Sequence, residues 1–267
     1  MELYYSTLIF VFGLLLGSFY NVVGYRIPNN MSIIKPGSFC PKCKHELKWY
    51  ELIPVFSFLI QGGKCRKCKC KISFFYPVIE LLTGILFLIA YLTFGFSPSF
   101  VISIFAASFL VIVIVSDFNY LIISDEVTLF FSIISIVTQF ILFGWEKGLS
   151  AIIYGLFLFL LMYFIMLFGS KIMKEEALGG GDVKIMFFVG TVLSVANPIV
   201  FNDFSTYGLL LNSFFEIFLA SCFASPFALL TYFSKKERVV PFGPFILFAC
   251  YVMCITQFNV LDLILKL

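Results

Sequence analysis

The sequence predicts an all-α polytopic membrane protein of about eight transmembrane helices, with a small cytoplasmic zinc-knuckle domain between the first and second. Three observations carry this. Of the 267 residues, 61% are apolar and 12% charged, with a mean hydropathy of +1.04, against about 45–50% and about 25% in soluble globular proteins. Apolar runs near the roughly 20 residues that a bilayer demands recur along the chain. Ten of its eighteen basic residues crowd into the one long polar stretch, 25–76.

The runs are Leu3–Gly24, Pro77–Phe96, Ser99–Ser116, Val127–Phe143, Leu149–Gly169, Ile185–Val200, Tyr207–Phe233 and Pro241–Leu261. The first has only Glu2 ahead of it, whereas a cleaved secretory signal needs a basic n-region and a small-residue cleavage site, so a retained span is expected. This divides the chain into a first helix (1–24), a polar insert (25–76) and a seven-helix membrane domain (77–267).

A net charge of +3 is too small to imply nucleic acid as a partner. The placement of charge says more. With the insert in the cytoplasm and eight crossings, Lys171, Lys174, Lys184, Lys235, Lys236 and Arg238 join the ten basic residues of the insert, leaving only Lys147 and Lys266 outside. The positive-inside rule selects this orientation.

Within the insert, Cys40-Pro41-Lys42-Cys43 and Cys65-Arg66-Lys67-Cys68 form two CxxC pairs at zinc-ribbon spacing. Each pair can turn two thiolates toward one point, and four of them complete a closed tetrahedral shell, which implies structural Zn²⁺. A polar insert this short cannot fold on core packing alone, and a metal substitutes for core. Two disulfides are the competing reading, disfavoured in a reducing compartment. Cys70 and His45 lie beside the knuckles and are expected to be spectators. Cys222, Cys250 and Cys254 read as small hydrophobes within spans.

Carboxylates at the edge of a span are functional candidates by default. Asp117 follows the third run directly, and Asp182 closes Gly179-Gly180-Gly181-Asp182 ahead of the sixth, so both fall at the cytoplasmic boundary. Two carboxylates in a partly desolvated site share a proton. One then draws a proton from water while the other donates to a scissile carbonyl, as in aspartic proteases. The glycines before Asp182 permit backbone conformations closed to other residues and close approach of a substrate chain. Ordinary interfacial Asp residues or helix N-caps fit the same positions. Asp125 competes for the catalytic role, though Ser124-Asp125-Glu126 also reads as the N-cap of the fourth span. Glu80 is a functional candidate, and Glu175, Glu176 and Glu216 are expected to be solvated or paired.

Several segments, in order, resemble the bacterial type IV prepilin peptidases, GxGD-type intramembrane aspartic endopeptidases. Gly17-Ser18-Phe19-Tyr20-Asn21-Val22-Val23 with Arg26-Ile27-Pro28 is similar to the family's opening motif. Trp49-Tyr50-Glu51-Leu52-Ile53-Pro54 and Gly63-Lys64-Cys65-Arg66 resemble its cysteine domain, and Ile72-Ser73, Tyr76-Pro77 and Glu80 continue it. Asp117, Gly179 to Lys184 and Val240-Pro241-Phe242-Gly243-Pro244-Phe245 resemble the catalytic and closing motifs. One departure is Ser124-Asp125, where the family usually has Pro-Asp.

The resemblance implies that Asp117 and Asp182 are the catalytic pair, favouring Asp117 over Asp125, with Gly179, Gly180, Gly181 and Lys184 in the supporting motif. It implies cleavage of a short basic leader from type IV prepilins or pseudopilins at the cytoplasmic face of the bacterial inner membrane. For members with a cysteine insert it also implies methylation of the new N-terminus with S-adenosylmethionine, for which Arg26, Glu51 and Glu80 are the candidate donor contacts. No Gly-rich nucleotide fingerprint in 25–76 supports that second activity independently. An ion-coupled transporter or a non-catalytic secretion-assembly protein is the alternative, the former favouring carboxylates at the midplane.

Overall fold

A computed structural model describes residues 1–173, 178–196, 205–235 and 241–257. Its helices are α1 (Glu2–Arg26), α2 (Phe56–Ile60), α3 (Phe75–Phe94), α4 (Pro98–Tyr120), α5 (Asp125–Phe143), α6 (Trp145–Met173), α7 (Gly180–Ala196), α8 (Ser205–Lys235) and α9 (Gly243–Thr256). Among the described residues, α1, α3, α4, α5, α6 and α8 are long and apolar enough to cross a membrane. At 17 and 14 residues, α7 and α9 are shorter. Each expected run overlaps a helix, six of them long enough to span among the described residues, and the bounds shift. The sixth starts five residues early, at Gly180, and residues 197–200 and 258–261 lie outside the described residues. So do Glu175, Glu176, Lys236, Arg238 and Lys266.

The central helix is α4, apolar around its whole circumference because it is buried on nearly every side. Ser97 caps it by accepting the Phe100 N–H, and Pro98 occupies its first turn, where a missing N–H costs nothing. It ends at Leu121, whose backbone turns left-handed (φ 54°) and whose N–H returns to the Asp117 carbonyl at 2.9 Å.

Lipid is as apolar as Leu, so helices associate in a membrane through close packing and polar links rather than hydrophobic burial. Both devices are present. A Cβ on Gly13 of α1 would lie 2.8 Å from the Gly84 Cα of α3, and one on Gly190 of α7 would lie 2.5 Å from the Tyr154 carbonyl oxygen of α6. Tyr20 donates to Ser108 at 2.8 Å, joining α1 to α4, and Tyr251 donates to the Leu86 carbonyl, joining α9 to α3. Between α5 and α7, Gln139 Nε2 donates to the Thr191 carbonyl at 2.6 Å, Thr191 to Ser135 at 3.0 Å, and Ser194 to Gln139 Oε1 at 2.9 Å. At about 0.6 kcal/mol per interhelical bond, such links set rotation and register more than they set stability.

Glu216 departs from expectation. Rather than solvated or paired, it is fully buried on α8 beside Cys250 of α9, and neither carboxylate oxygen has a hydrogen-bond partner among the described residues. Packing of α8 against α9 turns this face inward, which a run of apolar neighbours in sequence does not reveal.

Candidate active site

One end of the bundle gathers the last turn of α4, the first turn of α7 and the start of α9. Asp117 lies within α4, which continues through the polar residues Asp117–Tyr120, and Asp182 lies within the first turn of α7. Sequence placed them just outside their helices. Both are buried, and the charge of Asp117 acts directly on Asp182. Residues 65 positions apart are thus brought to one point.

Gly243 links the two. As the first residue of α9 it has an amide with no partner inside the helix, followed by Pro244, which has no amide at all. The Gly243 backbone lies beside the Asp117 carboxylate. On its other side, a Cβ at Gly243 would lie 3.3 Å from Asp182 Oδ1 and 2.8 Å from Ile123 Cδ1. Ile123 also bounds Gly181, where a Cβ would meet the Ile123 Cβ at 3.0 Å. Sequence reasoning quoted Gly243 in the closing motif without giving it a role and missed Ile123. The signal for Gly243 was the Pro241-Phe242-Gly243-Pro244 pattern, a helix start with a side-chain-free first residue.

None of Gly179, Gly180 and Gly181 takes a positive φ; the described glycines that do are Gly62, Gly63, Gly95 and Gly144. Their value is lack of bulk rather than unusual backbone. A Cβ at Gly179 would lie 3.2 Å from Asp182 Oδ2, while Gly180 faces open space. The Asp182 N–H donates to the Gly179 carbonyl at 3.1 Å, which ties the loop to the helix start.

Asp125 is not in this pair. Ser124 takes the N-cap position and Asp125 opens α5, where both its carboxylate oxygens accept from Lys184 Nζ at 2.7 Å. Asp125 is therefore a salt-bridge partner of α7 and no cap. At the opposite end of α7, Lys147 Nζ donates to the Val195 carbonyl at 3.2 Å, so Lys147 and Lys184 lie at opposite ends of one helix.

In the insert, the two knuckles repeat one turn. The Cys40 N–H donates to the His45 carbonyl and the Lys44 N–H returns to the Cys40 carbonyl. The Cys65 N–H donates to Cys70 and the Lys69 N–H to Cys65, all at 2.9 Å. Lys44 and Lys69 take matching left-handed φ values of 57° and 58°. The Sγ atoms of Cys40, Cys43, Cys65 and Cys68 all lie within 4.8 Å of one another, with Cys40–Cys68 and Cys43–Cys65 both at 3.9 Å. Tetrahedral bonds of about 2.3 Å put sulfurs about 3.8 Å apart, so these residues fit a metal ion. No two of the eight cysteines are joined, and the four of the CxxC pairs converge on one point rather than on two separate bridges. Cys70 is closer than expected of a spectator, its Sγ 3.2 Å from Cys68 and 3.6 Å from Cys40. His45 is turned away, its Nε2 meeting Glu51 Oε2 at 3.3 Å.

Between the insert and α1 and α3 lies a cavity of about 570 Å³ that reaches Arg26, Glu51 and Glu80. All three donor candidates thus line one space, together with Asn21, which sequence reasoning left in the opening motif without a role. Arg26 is engaged, donating to the carbonyls of Ser32 (3.0 Å), Pro36 (2.7 Å) and Gly37 (3.0 Å). Glu80 Oε2 accepts the Val55 N–H at 2.7 Å. Glu51 Oε2 accepts the Lys48 N–H at 3.0 Å, and that bond, aided by His45 and Arg66, holds its carboxyl below the ordinary carboxylate range. Asn21 Oδ1 is buried without a hydrogen-bond partner among the described residues, and Glu51 Oε1 has none either, its nearest cation being Arg66 Nε at 3.8 Å. Buried acceptors without a hydrogen bond call for a donor-bearing ligand or water.

A polytopic helical bundle with two buried carboxylates at one end, joined to a four-cysteine insert, defines the class: a multi-span membrane protein with a cysteine cluster able to hold a metal ion and a carboxylate pair. Two family models divide the chain, the bacterial peptidase A24 N-terminal domain over residues 11–94 and the type IV leader peptidase family over residues 104–229. The prepilin leader peptidase/N-methyltransferase of Bacillus subtilis (strain 168) is 37% identical over 240 residues, 89% of each chain. Proteins of the same name from Myxococcus xanthus (36%, 71% of this chain and 56% of the relative) and Vibrio cholerae (31%, 80% and 84%) also match. The chain belongs to the prepilin leader peptidase/N-methyltransferase family. No solved structure gives a significant match.

Proposed function

We propose that the protein is a membrane aspartic endopeptidase that removes the basic leader from type IV prepilins or pseudopilins, with Asp117 and Asp182 as its catalytic pair. The observation that supports this most is the convergence of the two buried carboxylates on Gly243, from helices far apart in sequence. With one proton shared between them, the ionised carboxylate takes a proton from water as that water attacks the scissile carbonyl. The protonated partner donates to the carbonyl oxygen, and the resulting tetrahedral species collapses with proton transfer to the leaving amine. The open side of Gly180 leaves room for an extended substrate backbone beside Asp182. Lys184, held by Asp125, fixes the start of α7.

In this reading α1 and α3 to α9, the shorter α7 and α9 included, cross the bacterial inner membrane, and the end that carries Asp117, Asp182, Lys184 and the cysteine insert faces the cytoplasm. Residues 1–24 form the first helix, 25–76 the metal-binding domain and 77–267 the peptidase domain. Cys40, Cys43, Cys65 and Cys68 hold structural Zn²⁺, which orders the insert over the cavity.

Methyl transfer to the new N-terminus is the second activity. S-adenosylmethionine, when bound, supplies an electrophilic methyl group. Glu51 and Asn21 offer it buried acceptors, Glu80 lies at the cavity's membrane end, and Arg26 shapes the wall by ordering residues 32–37. Mass spectrometry of a prepilin incubated with the purified protein, with and without S-adenosylmethionine, tests both activities. Loss of the leader supports the peptidase, and a further single-methyl gain that depends on the donor supports the transferase. An intact prepilin in the presence of folded protein overturns the reading.

A further inference from the structure

The insert carries a feature that neither metal binding nor the cavity uses. Trp49, Ile53, Phe56, Leu59 and Ile60 are all exposed, Trp49 at 78% and Ile60 at 75%, and none of them lines the cavity. Within α2, Phe56, Leu59 and Ile60 have the i, i+3, i+4 spacing of one helix face, while Trp49 and Ile53 belong to the 3₁₀ turn and the non-helical link before it, where Val55 takes a positive φ of 62°. On a domain surrounded by water such a patch would be a liability.

The depth of this face is set by two contacts to α3. The Val55 N–H, at the start of α2, donates to Glu80 Oε2 at 2.7 Å, and the Phe58 ring meets Phe74 at 5.9 Å, edge to face. Glu80 is five residues into α3, about 7.5 Å along its axis. So α2 lies beside the first turns of a membrane-spanning helix rather than above them. That is the level of the boundary between headgroups and acyl chains, where an amphipathic segment buries its apolar side about 5–10 Å deep. Trp49 fits the same level, since indole rings prefer the interface.

Charge points to the same occupant. Lys64, Lys67, Lys69 and Lys71, in the loop that follows α2, are all exposed, and the insert holds ten basic residues against only Glu46 and Glu51. Basic groups beside a buried apolar face complement anionic headgroups.

We infer that Trp49 to Ile60 is an interfacial anchor: its apolar face lies in the bilayer while the neighbouring lysines contact anionic lipid, so that the membrane itself closes the lower side of the insert. The anchor would hold the insert, and the cavity behind it, flat against the entrance to α1 and α3.

Fluorescence quenching in the full chain tests this. The chain has two tryptophans, Trp49 and Trp145. In a Trp49→Phe, Trp145→Phe background, Leu59→Trp, or Ile60→Trp as a second reporter, is reconstituted into phosphatidylcholine bilayers with or without phosphatidylglycerol. Lipids brominated near the top of the acyl chain are expected to remove most of the emission, which is blue-shifted, and aqueous acrylamide to remove little. The bromolipid loss is expected to be greater with phosphatidylglycerol and to shrink with salt. Quenching by acrylamide alone would overturn the anchor, and protection from both quenchers would overturn it in favour of a protein contact. Equal bromolipid quenching with and without phosphatidylglycerol would remove the role of anionic lipid.

Discussion

Gly243, the first residue of α9, stands between two acids: its backbone lies beside the Asp117 carboxylate, and a Cβ built on it would lie 3.3 Å from Asp182 Oδ1. Each acid lies at a helix N-terminus, Asp117 beside that of α9 and Asp182 within the first turn of α7, so the site is suited to hold one negative charge shared between them. Asp117→Asn and Asp182→Asn are each expected to lower leader cleavage by roughly 10²–10⁴-fold, the usual worth of a general acid or base. A quantitative prepilin-processing assay reads this, with membrane insertion and thermal stability unchanged. Wild-type processing by either variant would sink the assignment.

Substitution of Gly243 probes the spacing between the acids. In Gly243→Ala the new methyl meets the far end of the Ile123 side chain, which can move aside, so cleavage should fall only modestly. Gly243→Val has no such relief beside Asp182 Oδ1 and should cost about 10²-fold in kcat, as displacement of a reacting group by an ångström does. A kcat equal to wild type in the valine variant would show that Gly243 does not set the geometry.

Asp125 and Asp117 can be told apart by their energetics. The Asp125–Lys184 bridge is exposed on both sides, and exposed pairs contribute about 0–1 kcal/mol. Asp125→Ala should therefore retain cleavage within a few-fold and change stability by less than about 1 kcal/mol, with the reversed pair Asp125→Lys, Lys184→Asp recovering what is lost. Loss of cleavage in Asp125→Ala as severe as in Asp117→Asn would move the catalytic role to Asp125.

The purified protein should contain zinc at one ion per four-cysteine cluster, lost on replacing Cys40 and Cys65 by Ser. Elemental analysis decides this. Because Cys40 and Cys65 line the cavity, the double variant should lose methyl transfer before it loses cleavage.

Glu51 predicts a pH effect. The Lys48 amide, with His45 and Arg66, lowers its folded-state pKa. A carboxyl lowered on folding contributes stability that is present above its unfolded value of about 4.3 and is lost as pH falls through the lower folded value. Thermal unfolding of wild type minus that of Glu51→Gln should therefore show a difference at neutral pH that shrinks below about pH 4. Proton competition at the thiols is common to both proteins and cancels. A difference independent of pH would mean that Glu51 acts by packing alone.

Much of this protein is written locally. Apolar runs mark the long helices because a bilayer leaves a backbone no alternative to internal hydrogen bonding, and the two CxxC pairs announce a metal site because knuckle geometry is made by residues adjacent in sequence. Asp117 and Asp182 could be singled out because charge at a membrane boundary is scarce. What those signals lack is distance. That Asp125 pairs with Lys184 and leaves Asp117 to Asp182, that Gly243 stands between the two acids, that Glu216 turns inward, and that Arg26, Asn21, Glu51 and Glu80 share one cavity all depend on how helices rotate about their axes. In lipid that rotation is set by glycine contacts and single polar links between helices remote in sequence, such as Gly190 against Tyr154 and Gln139 against Thr191. The sequence alone marked which segments are apolar enough to cross a membrane and which residue types the candidate site gathers; only tertiary packing decided which of those residues meet, because the interactions that orient each helix are made with partners that no local pattern names.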